Sequence, residues 1–204
     1  MSLVVAGMVL GGSFAAAPAA AAQQDVVFRY HKGKCVNSAG KEGYNAGYVG
    51  ECGGLHGKDL RAAELSGVDL TGADLHAGRM TRAKLREAIL NGANLRNAQM
   101  ERADLRKADL RDAVLDRAKL QGADLTEARL AGAHLIRADL ADVILRDADL
   151  SGANLRRANL RGTDMSYANL DHANVRGAVF DSRTLFPPDV SFAEARSRGM
   201  IFRP

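Results

Sequence analysis

Residues 103–125 read ADLRKADLRDAVLDRAKLQGADL, and their leucines fall at 105, 110, 115, 120 and 125. The step of five holds in both directions. Upstream it runs through Met100, Leu95, Leu90, Leu85, Met80, Leu75, Leu70 and Leu65 to Leu60. Downstream it continues through Leu160 to Met165, Leu170, Val175 and Phe180. Of these 25 consecutive units, 21 have Leu or Phe at the centre, too long a run for chance. Ala usually stands two residues before the centre (Ala103, Ala108, Ala113), and Asp or Asn immediately before it in 14 of the 25 units.

Ala, Leu and Arg are good helix formers, but the spacing excludes a helix. A helix turns ~100° per residue, so five residues overshoot one full turn by ~140° and no apolar stripe forms. A flat strand fails too, because an odd step moves each successive Leu to the opposite face. The centre and the residue two before it can share a face, and the next Leu stays inside only if the chain bends once in every unit. A chain that bends the same way every five residues closes into a coil with Leu and Ala inside and the other three positions outside.

This pattern resembles the pentapeptide-repeat family, with consensus A(D/N)LXX, over residues 58–182. The resemblance implies an all-β, right-handed quadrilateral β-helix with four units, or 20 residues, per coil and about six coils. Residue i then lies over i+20, and one interior column reads Leu60, Met80, Met100, Leu120, Leu140, Leu160, Phe180. Unbranched Met fills irregular gaps in such a column.

Open solenoid ends expose an apolar lumen and unpaired strand edges. Phe28, Tyr30, Tyr44 and Tyr48 precede the repeats, and Phe186, Phe192 and Phe202 follow them. Residues 23–57 are therefore expected to form a small Gly-rich N-terminal cap, and residues 183–204 a C-terminal cap. Within the latter, Pro187-Pro188 stops the coil. Ser191 and Glu194 have capping-box spacing for a helix over about 192–198, ending at Gly199.

Residues 1–22 carry no charged side chain and end Ala20-Ala21-Ala22, the small-x-small pattern of a cleavage site. They are expected to be a signal peptide cleaved after Ala22, which makes the protein exported, periplasmic or secreted. No Lys or Arg precedes the apolar run, so Met1 need not be the true start, and a membrane anchor is the competing reading. In an exported chain, Cys35 and Cys52 are expected to form one disulfide. A reactive or metal-binding pair is the alternative, without CxxC spacing to support it.

The 204 residues carry 28 basic and 24 acidic side chains. Charge is even along the chain, with 20 basic against 19 acidic in the repeats, which points to no basic lobe and no nucleic-acid partner. No phosphate loop, nucleophile elbow or HExxH occurs, and His31, His56, His76, His134 and His172 look scattered. The expectation is a protein that is not an enzyme and needs no cofactor or metal. Asp and Asn before each centre suit a recurrent turn, since both tolerate unusual backbone angles and bond nearby main chain. Asp104 and Asp124 stack on adjacent coils and could hold Ca²⁺ or act as acid and base, but Ile144 breaks their column.

One surface feature invites a ligand. Arg117, Arg137 and Arg157 stack 20 apart, with Arg156 beside the last, as a possible anion-binding ladder. Asp116, Asp139 and Asp142 are near enough in sequence to neutralise it internally. The expected role is a non-catalytic exported scaffold for an unknown protein or cell-envelope ligand, without stable membrane insertion once the leader is removed. Some members of the family resemble DNA and bind DNA gyrase, but that needs a strongly acidic rod. A β-helix that binds or acts on polysaccharide is the third reading. The oligomeric state is left open, because Ile89, Val114, Ile136 and Ile144 form no single outward column.

Overall fold

The computed structural model describes residues 29–31, 34–36 and 55–204. The chain divides into two units, Met1–Glu51 and Cys52–Pro204. In the first, β1 (Arg29–His31) pairs antiparallel with β2 (Lys34–Val36), with Tyr30 opposite Cys35. The expected signal segment 1–22, its cleavage after Ala22 and the Cys35–Cys52 disulfide lie outside the described residues. No described helix is long and apolar enough to cross a membrane.

In the second unit each group of five residues makes the same corner. The carbonyl of the central Leu accepts the N–H three residues on, as Leu120 O does from Ala123 N at 2.8 Å. The third residue of that turn has a positive φ, the mark of a type II turn. This holds at all 25 positions from Gly57 to Gly177 in steps of five. Sixteen of them are not glycine, among them Arg117 at 58°, Asp147 at 56° and Tyr167 at 61°. A left-handed backbone costs an L-residue ~1–2 kcal/mol, so the corner is imposed by something stronger than local preference.

That stronger element is the main-chain ladder between coils. Lys119 N donates to Ala98 O at 2.9 Å, Leu120 N to Asp139 O at 2.8 Å and Gly122 N to Ala141 O at 3.0 Å. Parallel bridges repeat this from Asp59↔Arg79 to Asn159↔Val179, always 20 residues apart. Twenty residues divided into corners of five give four sides. The ladder extends beyond 58–182 at both ends. Gly57 N already bonds His76 O, and Leu185 still bridges Asp164.

Centres and their Ala partners fill the interior. Leu60, Met80, Met100, Leu120, Leu140, Leu160 and Phe180 are all buried, as the 20-residue column requires. Thr163 replaces Ala in the interior, and its hydroxyl donates to Leu140 O at 2.8 Å, satisfying an otherwise costly buried group.

The Asp and Asn before each centre are half of what the sequence implied. They do not occupy the positive-φ position, which lies three residues later. Their side-chain oxygens do accept main-chain N–H groups two residues on, as Asp124 does from Thr126 N at 3.0 Å and Asp149 from Ser151 N at 3.0 Å.

At the C-terminal end the register slips by one residue, since Asp164 pairs with Leu185 rather than with residue 184. Asp181 makes the slip tolerable. Its carboxylate replaces a backbone carbonyl, accepting Gly162 N at 2.9 Å and the Thr184 hydroxyl at 3.1 Å. β3 (Val179–Phe180) then pairs in parallel with β4 (Ile201–Phe202). Between them α1 (Phe192–Ser197) starts at Ser191, whose hydroxyl accepts Glu194 N at 3.1 Å. The Glu194 carboxylate turns away to Arg198 Nε at 2.8 Å, so only half of the expected capping box forms. Phe180 is fully buried with the rings of Phe186, Phe192 and Phe202 against it, centroids 5.2–5.5 Å away.

Two predictions follow from this packing. Leu120→Ala removes a fully buried side chain from a rigid column and should cost about 2–5 kcal/mol, measured by urea unfolding. Asp181 is held near pKa 2: burial opposes ionisation, but the N–H of Gly162, the Arg183 guanidinium and the Thr184 hydroxyl outweigh it. A depressed carboxylate contributes stability above its unfolded value near ~4. That contribution should fade as pH falls from about 4 towards about 2, and Asp181→Asn should flatten this part of an acid-unfolding curve.

Candidate functional site

The four edges of the coil differ in charge, although the chain is even along its length. The edge following Leu75, Leu95, Leu115, Leu135, Leu155 and Val175 gathers Arg96, Arg117, Arg137, Arg156, Arg157 and Arg176, with Asp116 as its one acid. The other three edges mix the two signs: Arg61, Arg82, Arg102 and Arg161 with Glu101, Asp142 and Asp181 on one, Arg86, Arg106, Lys107 and Arg146 with Glu87, Glu127 and Asp147 on the next, and Arg111 with Asp112 and Asp171 on the last. The expectation of no basic concentration is therefore corrected. A 20-residue register sorts charges around the axis, which counting along the sequence averages away.

Arg117, Arg137 and Arg157 do stack in one column. Arg117 N bonds Ile136 O at 3.0 Å, and Arg137 N bonds Arg156 O at 2.9 Å. All three side chains are exposed and all stand at φ of 58–59°. The stem of Arg157 leans over the next coil, where a Cβ placed on Gly177 would lie 3.3 Å from its Cγ.

Internal neutralisation does not occur. Asp116 is occupied by Arg96 at 3.2 Å and by Ile136 N at 3.0 Å. Asp139 accepts from Gln121 and Asn159, and Asp142 pairs with Arg183 at 2.7 Å. Arg117, Arg137, Arg156, Arg157 and Arg176 make no ion pair among the described residues. Arg96, Asp116, Arg117, Ile136 and Arg137 line an open surface pocket of about 350 Å³.

Elsewhere, at Arg61, Arg106 and Arg111, the arginine after a centre is neutralised by the aspartate before it. Arg106 grips Asp104 through Nε at 2.8 Å and Nη2 at 2.6 Å, and Arg111 grips Asp109 with the same geometry. These forks hold both carboxyls below the usual carboxylate range. On the arginine edge the same place is taken by asparagine. Asn94, Asn154 and Asn174 accept the N–H of Arg96, Arg156 and Arg176 at 3.3–3.4 Å, so the corner is built without a counter-charge. NLR or NVR in place of DLR marks this in the sequence, and the same replacement recurs once on another edge, at Asn159-Leu160-Arg161.

The remaining candidates take definite places. Asp104 and Asp124 do adjoin, and Arg106 lies between them at 2.6 and 3.8 Å, so a cation already serves both. Among the described residues no group of three or more His, Cys, Asp or Glu is arranged to hold a metal. His56 and His76 are not scattered. Twenty residues apart, they stack with centroids 5.1 Å apart and Nδ1 atoms at 3.2 Å.

The family description "Pentapeptide repeats" matches in eight copies over residues 55–76, 79–117, 108–147 and 144–181. No curated protein gives a match. Similar solved structures include alr5209, a pentapeptide repeat protein from Nostoc PCC 7120, at 31% identity over 59% of this chain and 84% of that one, TM-score 0.37. HetL, a pentapeptide repeat protein involved in heterocyst differentiation regulation from the same strain, is 36% identical over 59% of this chain and 62% of its own, TM-score 0.28. QnrB1, a plasmid-mediated fluoroquinolone resistance protein, is 18% identical over 74% and 86%, TM-score 0.34.

The geometry makes one stability prediction. Replacing Arg117, Arg137 and Arg157 together by Gly removes three left-handed L-residues and three stacked like charges. Against the larger freedom of glycine in the unfolded chain, the net gain should be about 0.5–1 kcal/mol per site, read as a raised thermal midpoint. A lowered midpoint would mean that the arginine stems contribute packing.

Proposed function

The chain belongs to the pentapeptide-repeat family, whose members fold as right-handed quadrilateral β-helices, and on that premise we propose that it is an exported, non-catalytic interaction scaffold. In this reading residues 58–182 form about six coils that hold a fixed surface. Residues 23–57, with a Cys35–Cys52 disulfide, cap the N-terminal end, and α1 with the rings around Phe180 caps the other. The observation that carries the reading is the arginine edge: five guanidiniums without ion pairs among the described residues, on a backbone held at fixed spacing by main-chain bonds.

A DNA-like inhibitor of topoisomerase is the weaker alternative. Such mimicry calls for an acidic surface on every side, whereas one edge here is strongly cationic. A polysaccharide-degrading enzyme is also weaker, because the coil corners from Gly57 to Gly177 recur every five residues with no inserted loop to build a cleft.

Fractionation tests export and interaction separately. Expressed with its native N-terminus, the protein should be recovered from the periplasm or medium, beginning at Gln23. An intact leader in the cytosol would overturn export and leave the scaffold reading standing. Crosslinking from cell-envelope fractions should capture a ligand, and loss of that ligand in a triple Arg117, Arg137, Arg157→Ser variant would place contact on the arginine edge.

A further inference from the structure

We propose that this edge is a track for one extended, linear polyanionic glycan, lying parallel to the coil axis with its carboxylates or sulfates on successive arginines. The inference rests on the scaffold reading and deepens it by naming the ligand class.

Three features of the edge point the same way. First, five of its six arginines, all but Arg96, make no ion pair among the described residues. Asn94, Asn154 and Asn174 keep the turn that Asp provides elsewhere, while withholding the carboxylate that would neutralise the neighbouring arginine. Second, the cations are maintained against two opposing effects. Arg117, Arg137 and Arg157 stand in the left-handed region and stack as like charges one coil apart, ~4.8 Å. A polyanion laid over them relieves the repulsion, and a guanidinium presents a fork that fits a carboxylate or sulfate. Third, the backbone of the row is held at a regular interval by inter-coil bonds, so the anchoring points of its charges do not have to be gathered when a ligand arrives.

The shape of the row selects the occupant. An extended glycan carries anions at regular intervals along a nearly straight axis, with a sugar about as long as one coil step, and the long arginine side chains can reach anions on either flank of that axis. A nucleic-acid duplex curves its phosphates away from a straight line. Single strands are usually held by stacking on aromatic rings; the only rings on this edge among the described residues are His56 and His76, which stack on each other at its N-terminal end, while Tyr167 lies on another edge and the phenylalanines gather at the C-terminal end. A membrane surface would want apolar residues beside the cations, and Ile136 alone is available, half-buried.

Binding of oligogalacturonates of increasing length to the full-length chain, by calorimetry at several salt concentrations, tests the proposal. Affinity should rise with length until the ligand covers the row, fall as salt rises, and drop about 100-fold in the triple Arg→Ser variant. Asn154→Asp with Asn174→Asp, which restores the acid before Arg156 and Arg176, should weaken binding about tenfold. Both variants should retain the far-ultraviolet spectrum of the parent. As a control, Arg82→Ser with Arg102→Ser, on a different edge, should bind like the parent. The proposal is overturned if the arginine and asparagine variants bind as the parent does, if a single galacturonate binds as well as a long chain, or if single-stranded DNA binds more tightly than the glycan. A protein ligand captured from the envelope by both parent and triple variant would also overturn it, while leaving the scaffold function intact.

Discussion

Main-chain hydrogen bonds to the neighbouring coils from three residues in each unit of five, as from Lys119, Leu120 and Gly122, are the constraint on which everything else depends. They fix the corner at every fifth residue, and the corner forces a left-handed residue. Sixteen of those residues are L-amino acids under strain. Their strain is tolerable only because several ladder bonds flank each one, as Arg137 N to Arg156 O and Leu135 N to Asn154 O illustrate. Each coil is ordered by its neighbours, so stability belongs to the stack and not to any single turn. The interior adds roughly 2 kcal/mol per buried leucine, which offsets part of the entropy of ordering the chain.

The same register turns sequence into surface pattern. At the position before each centre the backbone needs one acceptor for the N–H two residues on, and Asp and Asn supply it equally well. The two differ in what they do to the arginine that follows. With Asp, the arginine folds back and the corner is neutral, as at Asp109 and Arg111. With Asn, the bond to the main chain is kept and the arginine is left free, as at Asn154 and Arg156. A choice that is nearly silent for the fold is therefore decisive for the field around it.

The fold was legible in the residues because its signal is periodic: Leu at steps of five excludes both regular structures and demands a bend. Its 20-residue closure came from family resemblance and is visible in bridges such as Asp104↔Asp124. The site was legible only in part. Arg117, Arg137 and Arg157 were found by stepping 20, but Arg96 and Arg176 were not, because they sit one column away with Asp116 and Ile136 between them. The supposed neutralisation by Asp116, Asp139 and Asp142 failed for a geometric reason: closeness in sequence does not set which way a carboxylate turns, and each found a donor elsewhere. His56 and His76 were missed because their pairing exists only across coils. The slip at Leu185 was hidden as well, since an inserted residue near Pro187 looks like the end of a repeat and not like its continuation.

Rigid spacing has a further consequence for recognition. On an ordinary surface, long side chains lose rotamer freedom when they converge on an anion, which limits exposed ion pairs to little net gain. Here the backbone sets the interval between Arg117, Arg137 and Arg157, and the stem of Arg157 leans over Gly177 in the following coil. The ordering of the backbone that carries them was completed when the chain folded. What is left for a ligand is to supply charge at the same interval, so a periodic surface of this kind discriminates by the spacing and straightness of its partner more than by the chemistry of any one contact.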